Sequence, residues 1–155
     1  MCSLASTENV QRFELFLLTK TRISLEEFWL MLQYKVSELK WGESKRAGYD
    51  IGAPRAFCKW AKEQSQYFLA YWIGKIEFST LEFTGDISKS RAGLIAKEII
   101  SLKDFWRLLQ YEVIIFKLSE SEKEGCNIGI YAAFRLWFKN YFPAFVECWI
   151  GKVKF

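Results

Sequence analysis

The segment Ile23–Val36, ISLEEFWLMLQYKV, returns 77 residues later as Ile100–Val113, ISLKDFWRLLQYEV, in a chain of 155 residues. Laid over each other at that offset, residues 23–78 and 100–155 need no gap and share 25 identities in 56 positions. Before residue 23 the identities fade but the register holds, at Leu4/Leu81, Leu17/Leu94 and Lys20/Lys97. A chain that repeats one unit twice is expected to fold as two similar bodies, residues 1–78 and 79–155. Packed together, they resemble a covalent dimer with pseudo-two-fold symmetry.

Each copy has the pattern of three or four helices. Val10, Phe13, Leu17 and Leu18 share a helical face, and Asn9 and Asp86 stand where an N-cap belongs, so helices are predicted over 10–21 and 87–98. Ser24 with Glu27, and Ser101 with Asp104, have capping-box spacing. Leu25, Phe28, Trp29, Leu32, Val36 and Leu39 then line one face of a second helix, as do Leu102, Phe105, Trp106, Leu109, Val113 and Phe116. Polar loops are predicted at 41–52 and 118–129, with Gly48/Gly125 and Gly52/Gly129 suited to positive φ. A third apolar stretch carries Phe57, Trp60 and Phe68, and in copy two Phe134, Trp137 and Phe145. Pro143 inside it predicts two helices, about 53–64 and 66–73, with the proline opening the second one in copy two. Gly74 and Gly151 have the placement of C′ glycines. Residues 75–78 and 152–155 alternate like a short strand that residues 78–83 extend, giving a small β element near the repeat junction. The predicted class is mostly α.

Composition supplies core but little chemistry. The chain is 51% hydrophobic and 18% aromatic, and it contains no histidine. That removes His-based acid–base catalysis, Ser-His and Cys-His pairs, and His-ligated metal. Cys2, Cys58, Cys126 and Cys148 include no C-x-x-C, and none is matched by a cysteine in the other copy. They therefore read as free thiols in a reducing compartment. The paired acids Glu43/Glu120 and Glu27/Asp104 read as a solvated loop position and a cap. No cofactor, metal or catalytic residue is expected. The start of the chain lacks a signal-peptide pattern, and no apolar run approaches the roughly 20 residues that span a bilayer. The expectation is a non-enzymatic protein in the cell interior, by default the cytoplasm.

Two binding surfaces stand out. Copy two replaces Ser37 and Glu38 by Ile114 and Ile115, Lys59 by Leu136, and Ala61 by Phe138. Gln64 and Ser65 become Tyr141 and Phe142. Six small or polar positions turned large and apolar need a cover: copy one, a second chain, a partner protein or a membrane surface. The functional expectation is an adaptor that docks its partner there. The alternative is single-stranded nucleic acid held by the matched lysines Lys40/Lys117, Lys62/Lys139 and Lys75/Lys152 beside unburied aromatics. The net charge of +4 permits this and does not demand it. Aromatics and lysines mixed along 139–155 also leave room for peripheral membrane contact.

Overall fold

A computed structural model describes residues 7–78 and 85–155, with side chains from residue 11 onward. The expected extension of the strand over 79–83 and the position of Cys2 fall outside the described residues. The described chain is mostly helical, with seven α-helices and four two-residue strands. It divides into two units, residues 1–77 with Phe155, and residues 78–154.

Unit one contains α1 (Thr7–Leu18), β1 (Ile23–Ser24), α2 (Leu25–Ala47), α3 (Ala53–Glu63), α4 (Ser65–Trp72), a 3-10 turn and β2 (Ile76–Glu77). Helix α1 starts two residues before the expected cap at Asn9 and stops at Leu18, three residues early. Helix α2 forms where the capping box required. Glu27 N–H donates to Ser24 Oγ at 3.0 Å and Ser24 N–H to Glu27 Oε1 at 2.9 Å. Both orphan donors are therefore satisfied reciprocally. Lys20 Nζ adds a 2.7 Å ion pair to Glu27. Burial pushes the Glu27 carboxyl up, but Lys20 and the two Ser24 groups outweigh it and hold it below the usual range.

Where a loop was expected from Trp41, α2 runs seven residues further, to Ala47, and is capped by Gly48, whose φ of 77° only glycine adopts cheaply. The true loop is short and tightly bonded. Ser44 Oγ accepts from Ile51 N–H, and Asp50 Oδ1 accepts from Gly52 N–H. Helix α3 then breaks from α4 at Gln64, where Ser65 Oγ donates back to the Ala61 carbonyl and competes with the helical ladder. The core joins these elements through rings. Phe28 on α2 lies 5.0 Å from Phe68 on α4, which lies 5.2 Å edge-on from Trp60 on α3. Ile23 and Ile76, in register in the parallel pair β1–β2, close the base of the core and are both buried.

Unit two contains α5 (Ile87–Ile95), β3 (Ile100–Ser101), α6 (Leu102–Glu124), α7 (Ile130–Trp149), a 3-10 turn and β4 (Val153–Lys154). Asp86 caps α5 as expected, accepting from Lys89 N–H at 3.1 Å. Ser101 Oγ caps α6 by accepting from Asp104 N–H, while the shorter Asp104 carboxylate reaches Lys97 at 3.5 Å. Helix α6 also overruns the expected loop, ending at Gly125 with φ 71°. Phe105 and Trp137 again flank a central ring, Phe145, at 5.1 and 5.3 Å. Strands β3 and β4 pair in parallel through Ile100 and Val153.

Two expectations are corrected. Pro143 does not open a new helix, because α7 runs unbroken through it. The proline removes only one amide donor, while Phe134, Phe138 and Phe142 hold a continuous rail of stacked rings along the buried face at 5.7 and 4.1 Å. In unit one the expected break is present, with α3 ending at Glu63 and α4 starting at Ser65, and there Phe138 and Phe142 have Ala61 and Ser65 as counterparts. Gly74 and Gly151 are not left-handed C′ residues either. They sit inside the 3-10 turns Ile73–Lys75 and Ile150–Lys152.

Candidate functional site

Of the six apolar positions singled out in copy two, Phe138 and Phe142 have no exposed surface. They complete the ring stack of α7 and offer nothing to a partner, which corrects the expected six-residue face. Ile114, Ile115 and Leu136 are half-buried. Tyr141 is 49% exposed and lays its ring edge-on to Phe116 at 5.6 Å. Large side chains at these positions turn partly inward and partly onto each other.

The lysines of the nucleic-acid alternative are spread over separate elements and are largely engaged. Lys40 on α2 pairs with Asp50 at 3.6 Å. Lys75 Nζ lies over the rings of Tyr71 and Trp72 at 5.5 and 5.2 Å. Lys152 Nζ donates to the Ile95 carbonyl and lies over Trp149 at 5.1 Å. Lys62 on α3 and Lys139 on α7 are exposed, and Lys117 on α6 is half-buried. The matched tryptophans Trp29/Trp106 and Trp60/Trp137 are core residues, as is Trp72. The most exposed rings are tyrosines, above all Tyr67 at 78%.

That tyrosine marks a site that inspection of the repeat differences missed. In unit one, the helix break at Gln64 leaves an open cleft of about 280 Å³ between α4 and the α1–α2 pair. Buried Trp60, Phe68 and Trp72 form its floor, exposed Tyr67 and Tyr71 rise beside them, and Glu14, Lys35 and Gln64 supply its polar side. Lys35, Trp60 and Gln64 are shared with an adjoining cleft of about 360 Å³ that continues past Glu38 and Leu39 to Arg46. Tyr67 and Tyr71 are four residues apart on α4, so one helical face carries both rings.

The polar side is a charge triad. Lys35 Nζ donates to Glu14 at 2.7 Å and lies 3.7 Å from Glu38. One ammonium thus serves two carboxylates and leaves the trio one negative charge in excess. Burial pushes the Glu38 carboxyl above its usual range, Glu14 pushes it the same way, and Lys35 only partly offsets them. At the far end Arg46 is held by Glu43.

The corresponding positions of unit two are built differently. Glu14 and Lys35 become Arg91 and Glu112, and these form an ion pair with the signs exchanged. Glu38 becomes Ile115, Leu39 becomes Phe116 and Gln64 becomes Tyr141, while Tyr67 and Tyr71 become Ala144 and Cys148. The excess carboxylate and both tyrosines belong to unit one alone. The signal for this site was present in the sequence as a paired charge reversal at the 77-residue offset, with Glu14/Arg91 where identity fades and Lys35/Glu112 inside the most similar stretch.

Among the described residues, no group of three or more Cys, Asp or Glu side chains is placed to hold a metal ion. No described helix is long and apolar enough to cross a membrane. Compared with protein families, curated proteins and solved structures, the chain finds no match.

Proposed function

We propose that this chain is a non-enzymatic intracellular binding or adaptor protein, built as a tandem duplication of one helical unit. A peptide segment of its protein partner docks in the α2–α4 cleft of unit one. The coincidence of α2 with α6, β1 with β3 and β2 with β4 at the 77-residue offset supports common descent of the units. Duplication frees one copy to keep a scaffold role while the other acquires a site.

The observation that carries the docking reading is the pair Tyr67 and Tyr71, 78% and 55% exposed, standing over a floor of three buried aromatic rings. Exposed tyrosines around a concave apolar floor are the usual anchoring chemistry of a protein interface. Unit two supplies the contrast, since it keeps the three floor rings as Trp137, Phe145 and Trp149 but has Tyr141 for Gln64 and Ala144 and Cys148 for the two tyrosines. The nucleic-acid reading has less support, because Lys40, Lys75 and Lys152 are engaged within the chain and the matched tryptophans serve the core.

A random peptide library displayed on phage tests the reading. The protein should enrich a short consensus, and the exposed-site double variant Tyr67→Gln/Tyr71→Gln, folded by circular dichroism, should lose it. No enrichment, or a consensus that binds the double variant equally well, overturns docking in this cleft.

A further inference from the structure

We infer that each unit is closed by a phenylalanine that the other sequence copy supplies, so that the local stability of each unit is set partly by the far copy. Phe78 ends copy one and Phe155 ends copy two, and the two are matched at the 77-residue offset. The structural units do not follow that boundary. Phe155 belongs to unit one and Phe78 to unit two.

Ring contacts give each phenylalanine its role. In unit one the Phe155 ring lies 5.7 Å from Phe57 on α3, whose ring lies 6.3 Å from Trp29 on α2. In unit two the Phe78 ring lies 5.2 Å from Phe134 on α7 and meets Tyr131 edge-on at 6.2 Å. Phe57 and Phe134 have no exposed surface, whereas Phe78 and Phe155 are half-buried. Rings at such separations gain from edge and offset contact beyond the area they bury. Phe57 and Phe134 are themselves matched at the 77-residue offset. The same pair of positions therefore meets twice, and both times its members come from different copies. A single contact of this kind would be a local accident; two related by the repeat are a property of the fold.

Chain connectivity turns the exchange into a coupling. Phe155 directly follows Lys154 of β4, a strand of unit two, and Phe78 directly follows Glu77 of β2, a strand of unit one. Opening the β3–β4 pair therefore releases the ring held against Phe57, and opening β1–β2 releases the ring held against Phe134. A linkage of this kind acts in both directions. Neither unit keeps its closed core on one copy of the sequence alone.

The test is site-resolved amide hydrogen exchange on the full chain, comparing Phe155→Ala and Phe78→Ala with the unmodified protein. Loss of a half-buried ring should speed exchange by about tenfold in the unit whose core receives it. Phe155→Ala should act on α3 around Phe57 more than on α7 around Phe134, although residue 155 is far nearer to α7 in sequence. Phe78→Ala should show the reverse order. Should either alanine variant fail to fold, Phe155→Leu and Phe78→Leu are read for the same order. An effect of the Phe155 substitution on α7 that equals or exceeds its effect on α3, or an unchanged α3, overturns the inference. The mirror result for the Phe78 substitution overturns it equally.

Discussion

Exchanging the charges of the Glu14–Lys35 pair should reproduce in unit one what unit two already does with Arg91 and Glu112. The 2.7 Å pair has side chains 32% and 26% exposed, between the surface and buried regimes. Surface pairs couple by roughly 0.2–1 kcal/mol and breaking buried ones costs roughly 3–5, so a coupling of about 1–2 kcal/mol is expected here. Lys35→Glu alone should cost about 2 kcal/mol, because it removes the cation from between two carboxylates and leaves three together. Glu14→Arg/Lys35→Glu should recover only part of this. The new carboxylate would stand where Lys35 lies 3.7 Å from Glu38, a repulsion that unit two avoids with Ile115. Adding Glu38→Ile should recover the rest. Urea unfolding midpoints at constant slope measure each step. Additivity of the three substitutions within about 0.3–0.5 kcal/mol would refute the triad.

Phe138→Ala should cost about 3–5 kcal/mol, since it empties the middle of a fully buried ring stack. A thermal melt should then fall by roughly 6–20 °C, and an unchanged melt with lost self-association would return docking to copy two. Ser24→Ala should lower unfolding free energy by about 1 kcal/mol through loss of the α2 cap, measured by urea titration. The pH dependence has two opposed contributions. Glu27 titrates below its unfolded value, so its stabilisation is present above the unfolded pKa and lost as pH falls through the folded one. Glu38 titrates above its unfolded value, so stability falls as pH rises from the unfolded to the folded pKa. Glu38→Gln should therefore raise the melting temperature at neutral pH, with the gain vanishing in acid. A gain of equal size at low pH would contradict that assignment.

Local chemistry was legible where one residue type had one use. Ser24 and Glu27, Asp86, and the left-handed Gly48 and Gly125 all sit where their spacing placed them. The helix face from Leu25 to Val36 is the core face. What a local pattern could not give was decided by packing. Pro143 signals a break, and the one expected near residue 65 is present in unit one, yet in unit two the rings at 134, 138 and 142 carry α7 through the proline. Phe138 and Phe142 were visible as differences between the copies, but not that they point inward. The cleft stayed hidden because it needs Glu14 and Lys35, 21 residues apart, to meet across two helices. Only the charge reversal at 91 and 112 records that meeting in the sequence.

Docking of a partner in the unit-one cleft, and not on the apolar positions of unit two, has a direct readout. Intermolecular nuclear Overhauser effects between a phage-selected peptide and the protein test it most directly. Contacts from the peptide to the rings of Tyr67 and Tyr71 are expected. Contacts to Ile115 and Tyr141 in their place would contradict it.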